Sequence, residues 1–139
     1  MKSIHRAIAS LALIAGLLSA PAAALADTAN IAGVWRNPKD SVRLEIKDCG
    51  PSTCGYVVYA SPGAQADARK GGNKNMVGMQ LLRDFVQQKD GNWRGKVYVP
   101  SLNMTFAGTA EFINAGALRA RGCVIGNLLC KSQVWTRIS

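Results

Sequence analysis

No stretch of this chain beyond residue 26 sustains the 3.6-residue period of a long amphipathic helix. Short segments of alternating apolar and polar residues follow one another instead, cut by turn signals. Val42, Leu44 and Ile46 alternate with Arg43, Glu45 and Lys47, which puts apolar side chains on one face of a strand and charges on the other. IAGVWRN, ending at Asn37-Pro38, and CGYVVYA, residues 54–60, read as strands on either side of it. Gln80–Gln87 and WRGKVYV read the same way, as do NMTFAGTAEFIN, ALRARGCV and SQVWTRI. The turns are CGPSTC, KDGN, the stretch from Pro100, and NAG. About eight strands joined by hairpins give an all-β, antiparallel up-and-down arrangement. Closed on itself, it is a barrel with room for side chains or one small ligand. A five-stranded oligonucleotide- or sugar-binding type of barrel is the competing architecture, and the strand count disfavours it. Residues 61–76, SPGAQADARKGGNKNM, read as a long polar, basic loop. At most one short helix is expected, within VGMQLLRDFVQQ.

The N-terminal segment follows another pattern. Lys2 and Arg6 precede the apolar run Ile8–Leu18, Pro21 follows, and Ala24-Leu25-Ala26 is a small-x-small site before Asp27. This is the pattern of a secretory signal peptide cleaved after Ala26, which assigns the chain to the periplasm or the exterior. Residues 27–139 are then expected to form a single domain. Removing Lys2 and Arg6 from the seventeen basic residues, against eight acidic ones, leaves that domain at +7. Export turns the meaning of this charge away from nucleic acid and toward an anionic membrane surface, lipopolysaccharide or an acidic ligand. The one histidine, His5, lies in the leader. The mature chain therefore has no Ser-His-Asp or Cys-His catalytic set and no histidine-ligated metal site.

Four cysteines in an exported chain imply disulfides. Three connectivities are formally open. The spacings favour local pairs: Cys49 with Cys54 across Gly50–Thr53, and Cys123 with Cys130 across Val124–Leu129. Neither pair has redox C-x-x-C spacing, and the second misses the C-x₂₋₄-C of a zinc site. No cofactor and no metal are expected.

Gly33-Val34-Trp35 on the first strand resembles the Gly-x-Trp of lipocalins, and Arg137 on the last strand stands where such barrels stack an arginine on that tryptophan. Trp135 belongs to the same closing strand. A broader resemblance runs along nearly all of residues 27–139. GVWRNP, LEIKDCGPSTCGYVVY, LLRDF, GNWRGKVYVP and RGCVIGNLLCKSQVWTR are together similar to the bacterial domain of unknown function 2147. The resemblance implies an exported lipocalin-like barrel of unestablished role and no catalytic residues. The family's Tyr-Asp-Pro is here Tyr98-Val99-Pro100, so the turn after it differs.

Three functions follow for testing. As a binding barrel, the chain would hold a small apolar or amphipathic ligand against Tyr56, Tyr59, Tyr98, Met104, Phe106 and Phe112, with Arg121 as an inward charge and Arg69, Lys70 and Lys74 at a polar mouth. The inward register is not fixed by sequence, and an error of one residue replaces the set. As an enzyme it would rely on carboxylates, yet Glu45 and Glu111 alternate toward solvent and no pair is demonstrable, so no catalysis is expected. As an envelope-surface module it would bind anionic lipid with no internal ligand. Sequence leaves the oligomeric state open.

Overall fold

The computed structural model describes residues 30–124 and 128–139. The proposed leader and its cleavage site lie outside those residues, as does most of the turn between the last two strands. Eight strands and one helix follow in order: β1 Gly33–Arg36, β2 Val42–Asp48, β3 Thr53–Ala60, α1 Pro62–Lys70, β4 Gln80–Gln87, β5 Trp93–Val99, β6 Met104–Asn114, β7 Ala117–Val124 and β8 Leu129–Arg137. Each strand pairs antiparallel with the next, and β1 pairs with β8, so the sheet closes as an up-and-down barrel. No described helix is long and apolar enough to cross a membrane.

Residues 61–76 are not one loop. Ser61 caps α1 by accepting from the Ala64 amide, Pro62 supplies the first turn, and Gly71 ends the helix. The expected short helix exists, then, but it lies before Val77–Gln88, where Gln80–Gln87 are strand. The sequence pattern hides α1 because its buried face consists of alanine: Ala68 is buried and Ala64 packs beside it, both against Leu44, Val57, Met76 and Leu81. Arg69 and Lys70 form its last turn, where cations suit the helix dipole.

The buried residues set the inward register. Trp35 pairs with Leu44, Ile46 with Gly55, Phe112 with Leu118, and Leu118 with Trp135. Ile31, Trp35, Ile46, Phe85, Ala110 and Leu118 form a core cluster at the end of the barrel that holds the N-terminal segment. Gly33 has φ of 139°, and a side chain there would collide with the Ser139 carbonyl, so only glycine lets the start of β1 pass Ser139 this closely.

Three further glycines stand in register across β5, β6 and β7: Gly95 opposite Gly108, and Gly108 opposite Gly122. They form a trough on the inner face. The Phe85 ring fills part of it, coming within 2.5 Å of where a Gly95 Cβ would stand and 3.2 Å of where a Gly108 Cβ would stand. A bulge between Arg83 and Val86, with Asp84 at φ 55°, displaces β4 at this point. Among the described residues, no atom beyond its chain neighbours lies within 4 Å of a Cβ built on Gly122.

Candidate functional site

That open space belongs to an interior cavity of about 750 Å³, inside the range of roughly 300–1,000 Å³ usual for small-molecule sites. Its walls are mostly apolar. Leu44, Phe85, Val97, Phe106, Leu118 and Trp135 line it, with Trp35 and Ile46 toward the closed end. The cavity reaches solvent at the opposite end, where Leu102 and Leu129 line it and are 58% and 63% exposed. A second cavity of about 680 Å³ lies between α1, the β1–β2 turn and the β5–β6 turn. Ser101 and Gln133 line both cavities, so they stand where the two meet.

Polar groups enter the interior from β8. Counting by twos from Trp135, Gln133 and Lys131 share its inward face: Gln133 pairs with Ala120 and Lys131 with Gly122. Both line the cavity, and both are exposed to solvent. The lining contains no Asp or Glu among the described residues. Asp67 of α1 borders the second cavity, where its hydrogen bond with Lys70 and that ammonium's charge hold its carboxyl below the usual range.

The structure disperses the residues picked from sequence. Phe106 lines the cavity. Phe112 faces inward but packs on Trp35 at the closed end, ring centres 6.1 Å apart. Met104 pairs with Val99 at the rim and is exposed. Tyr56 lies on the outward face opposite Glu45, with the Lys47 ammonium over its ring at 5.1 Å. Tyr59 lies opposite Arg43, whose guanidinium is 4.9 Å from its ring centre. Tyr98 is outward as well. Its hydroxyl donates to Asn103 Oδ1 at 2.7 Å and stands 3.1 Å from Asn73 Oδ1. The Asn73 amide in turn donates to the Pro100 carbonyl. Tyr98 thereby ties the segment after α1 to the β5–β6 turn.

Arg121 borders the cavity, yet its register with Thr109 and Ser132 sets it on the outward face, where it is exposed. Alternation settles the direction: its neighbours Ala120 and Gly122 are the inward ones. Glu45 and Glu111 pair with Lys47 and Arg119 on the outside. Both local disulfides are formed, Cys49–Cys54 and Cys123–Cys130. By the same alternation the second pair stands on the outward face with Arg121 and borders the cavity near its open end.

Sequence reasoning passed over Lys131, Gln133, Phe85 and the glycine trough. A signal for the first two was present. Once Trp135 and Arg137 are placed inward, strict alternation carries Gln133 and Lys131 with them. No comparable signal existed for Phe85, because the bulge at Asp84 resets the alternation of β4.

A family model described as "Uncharacterized protein conserved in bacteria (DUF2147)" matches residues 33–137. Among solved structures the chain is similar to protein HP1028 from Helicobacter pylori, described as belonging to the lipocalin family. The TM-score is 0.63 at 16% sequence identity, covering 79% of this chain and 84% of that one. At that identity the likeness is one of fold. No curated protein sequence matches significantly.

Proposed function

The chain belongs to the DUF2147 family and folds as a lipocalin-like barrel, and from that premise we propose that it is an exported, non-enzymatic carrier of a small apolar or amphipathic molecule held in the barrel interior. The observation that supports this reading is the cavity of about 750 Å³ with walls built from Phe85, Phe106, Leu118 and Trp135. An envelope-surface module with no internal ligand has no use for such a space, which favours the carrier. Export is supported by the leader pattern and by the two disulfides.

The test uses the full chain produced with its leader, purified without detergent and examined by native mass spectrometry. A retained small molecule is expected. The emptied protein should enhance the fluorescence of the neutral probe N-phenyl-1-naphthylamine. Gly122→Phe, which drives a ring into the open end of the trough, should weaken that probe at least about tenfold. A protein that retains nothing and leaves the probe unchanged sinks the reading.

A further inference from the structure

We propose that the carried ligand is a single-chain amphiphile with an anionic head group. The head lies against Lys131 and Gly122, and the alkyl tail runs past Gln133 and Trp135 toward the closed end. This rests on the carrier reading and adds to it the sign, the position and the direction of the ligand.

The sign comes from the lining. An apolar cavity takes its specificity from the few polar groups that enter it. Here the charged groups are Lys131 and, at the border, Arg121, with no carboxylate among the described lining residues. A cationic ligand would meet repulsion and no counter-charge. An anion meets an ammonium that has no competing partner, because the five ion pairs among the described residues engage Arg43, Lys47, Lys70, Lys96 and Arg119. Lys131 is in none of them.

The position comes from the register. Lys131 stands directly across from Gly122, and no described atom outside residues 121–123 lies within 4 Å of a would-be Gly122 Cβ. A lysine on the inward position of β8 opposite that space leaves a place for a carboxylate or phosphate oxygen, and Lys meets either as a point charge. Gln133 and Ser101 stand where the two cavities join and offer the amide and hydroxyl donors that a head group also uses.

The direction follows from the gradient along β8. Leu129 is at the rim, Lys131 and Gln133 come next, and Trp135 lies below them among apolar side chains. The four residue steps from Lys131 to Trp135 span about 13 Å at about 3.3 Å each, close to the extended length of a dodecyl chain. A tail pointing outward would be left in water beside an occupied lysine, while the apolar end of the cavity stayed without a partner.

Displacement of N-phenyl-1-naphthylamine by dodecanoate, dodecanol and dodecyltrimethylammonium tests this. Dodecanoate should displace the probe at a concentration roughly tenfold below that of dodecanol, the size of one charge-assisted contact. The advantage should shrink as salt is raised. Lys131→Gln should erase that advantage while leaving dodecanol unchanged, and Lys131→Arg should restore most of it. Lys89→Gln, in the turn at the opposite end, serves as the control. If Lys131→Gln keeps the dodecanoate preference, or the trimethylammonium amphiphile competes as well as dodecanoate, the head-group assignment is wrong and the carrier reading survives. If the probe and all three amphiphiles fail to bind, both fall.

Discussion

The guanidinium of Arg137 lies 4.3 Å from the centre of the Trp35 ring. All three of its nitrogens donate to backbone carbonyls: Nε to Ala115 at 2.9 Å, Nη1 to Ala32 at 2.7 Å and Nη2 to Asn30 at 2.6 Å. One side chain thus joins β8, the segment before β1 and the β6–β7 turn. This matters because the closing seam is short: β1 and β8 share the register pairs Trp35–Arg137 and Arg36–Thr136, and Val34 adds backbone hydrogen bonds with Ile138 and Ser139. Arg137→Lys keeps the charge and loses the planar fork. It should cost about 2–3 kcal/mol in urea denaturation, from the lost stacking and from carbonyls left without donors. A variant as stable as the parent would show that the seam closes by backbone pairing alone.

The glycine trough makes two opposite predictions for one substitution. A methyl on Gly95 would sit 2.7 Å from the Arg83 carbonyl and against the Phe85 ring, so Gly95→Ala should destabilise by about 2 kcal/mol through forced repacking. A methyl on Gly122 meets no described atom beyond its chain neighbours within 4 Å. Gly122→Ala should therefore stay within about 0.5 kcal/mol of the parent, or gain slightly from a stiffer strand. Denaturant midpoints of the two variants, measured side by side, decide the matter.

The strands were legible in the sequence because half-buried antiparallel strands alternate. Val42–Ile46 shows this; Gln80–Gln87, whose alternation the bulge after Arg83 breaks, is still a strand with the bounds read from sequence. The Gly33-Val34-Trp35 stretch and Arg137 revealed the closure because stacking needs those side chains. The interior was harder to read. Tyr56 and Tyr98 are strand aromatics, but they lie on the outer face under Lys47 and Arg83. An aromatic shielded by a cation satisfies the same composition as one in the core. Helix α1 was missed because two alanines carry its packing, and alanine barely registers in an apolar periodicity. Lys131 beside Ser132 makes no Ser–Lys dyad and carries no other motif; register, not residue type, sets its direction.

The two disulfides should separate in their effects. Each closes a short loop and contributes about 2 kcal/mol in the chain-entropy model. Cys49–Cys54 clasps the β2–β3 hairpin at the closed end, whereas Cys123–Cys130 clasps β7 to β8 on the outer face beside the cavity mouth. The double variant Cys49→Ala/Cys54→Ala should lower stability by about that amount and leave probe affinity unchanged. Cys123→Ala/Cys130→Ala should show a similar loss of stability and, in addition, release the probe faster. Stopped-flow dissociation alongside urea denaturation measures both, and equal release rates in the two variants would remove the mouth disulfide from any role in retention.

Tyr98 tests whether an aromatic of the outer face acts through ligand contact or through the connection that carries α1. Its hydroxyl joins Asn103 and Asn73, and Asn73 reaches the Pro100 carbonyl at 2.7 Å. The helix end lies against the same turn, since a side chain on Gly71 would collide with that carbonyl. Tyr98→Phe keeps the ring under Arg83 and removes only the hydroxyl. The expected cost is about 1 kcal/mol, the worth of one ordinary hydrogen bond. The loss should be local: hydrogen exchange should quicken for the amides of residues 62–79 and stay unchanged in β6 and β7. Equilibrium affinity for N-phenyl-1-naphthylamine should move less than about twofold, because Tyr98 does not line the interior cavity. Entry and exit should both accelerate, since α1 borders the space that joins the interior at Ser101 and Gln133. A large loss of affinity with unchanged exchange would instead make Tyr98 a ligand contact and would require its ring to turn inward on binding.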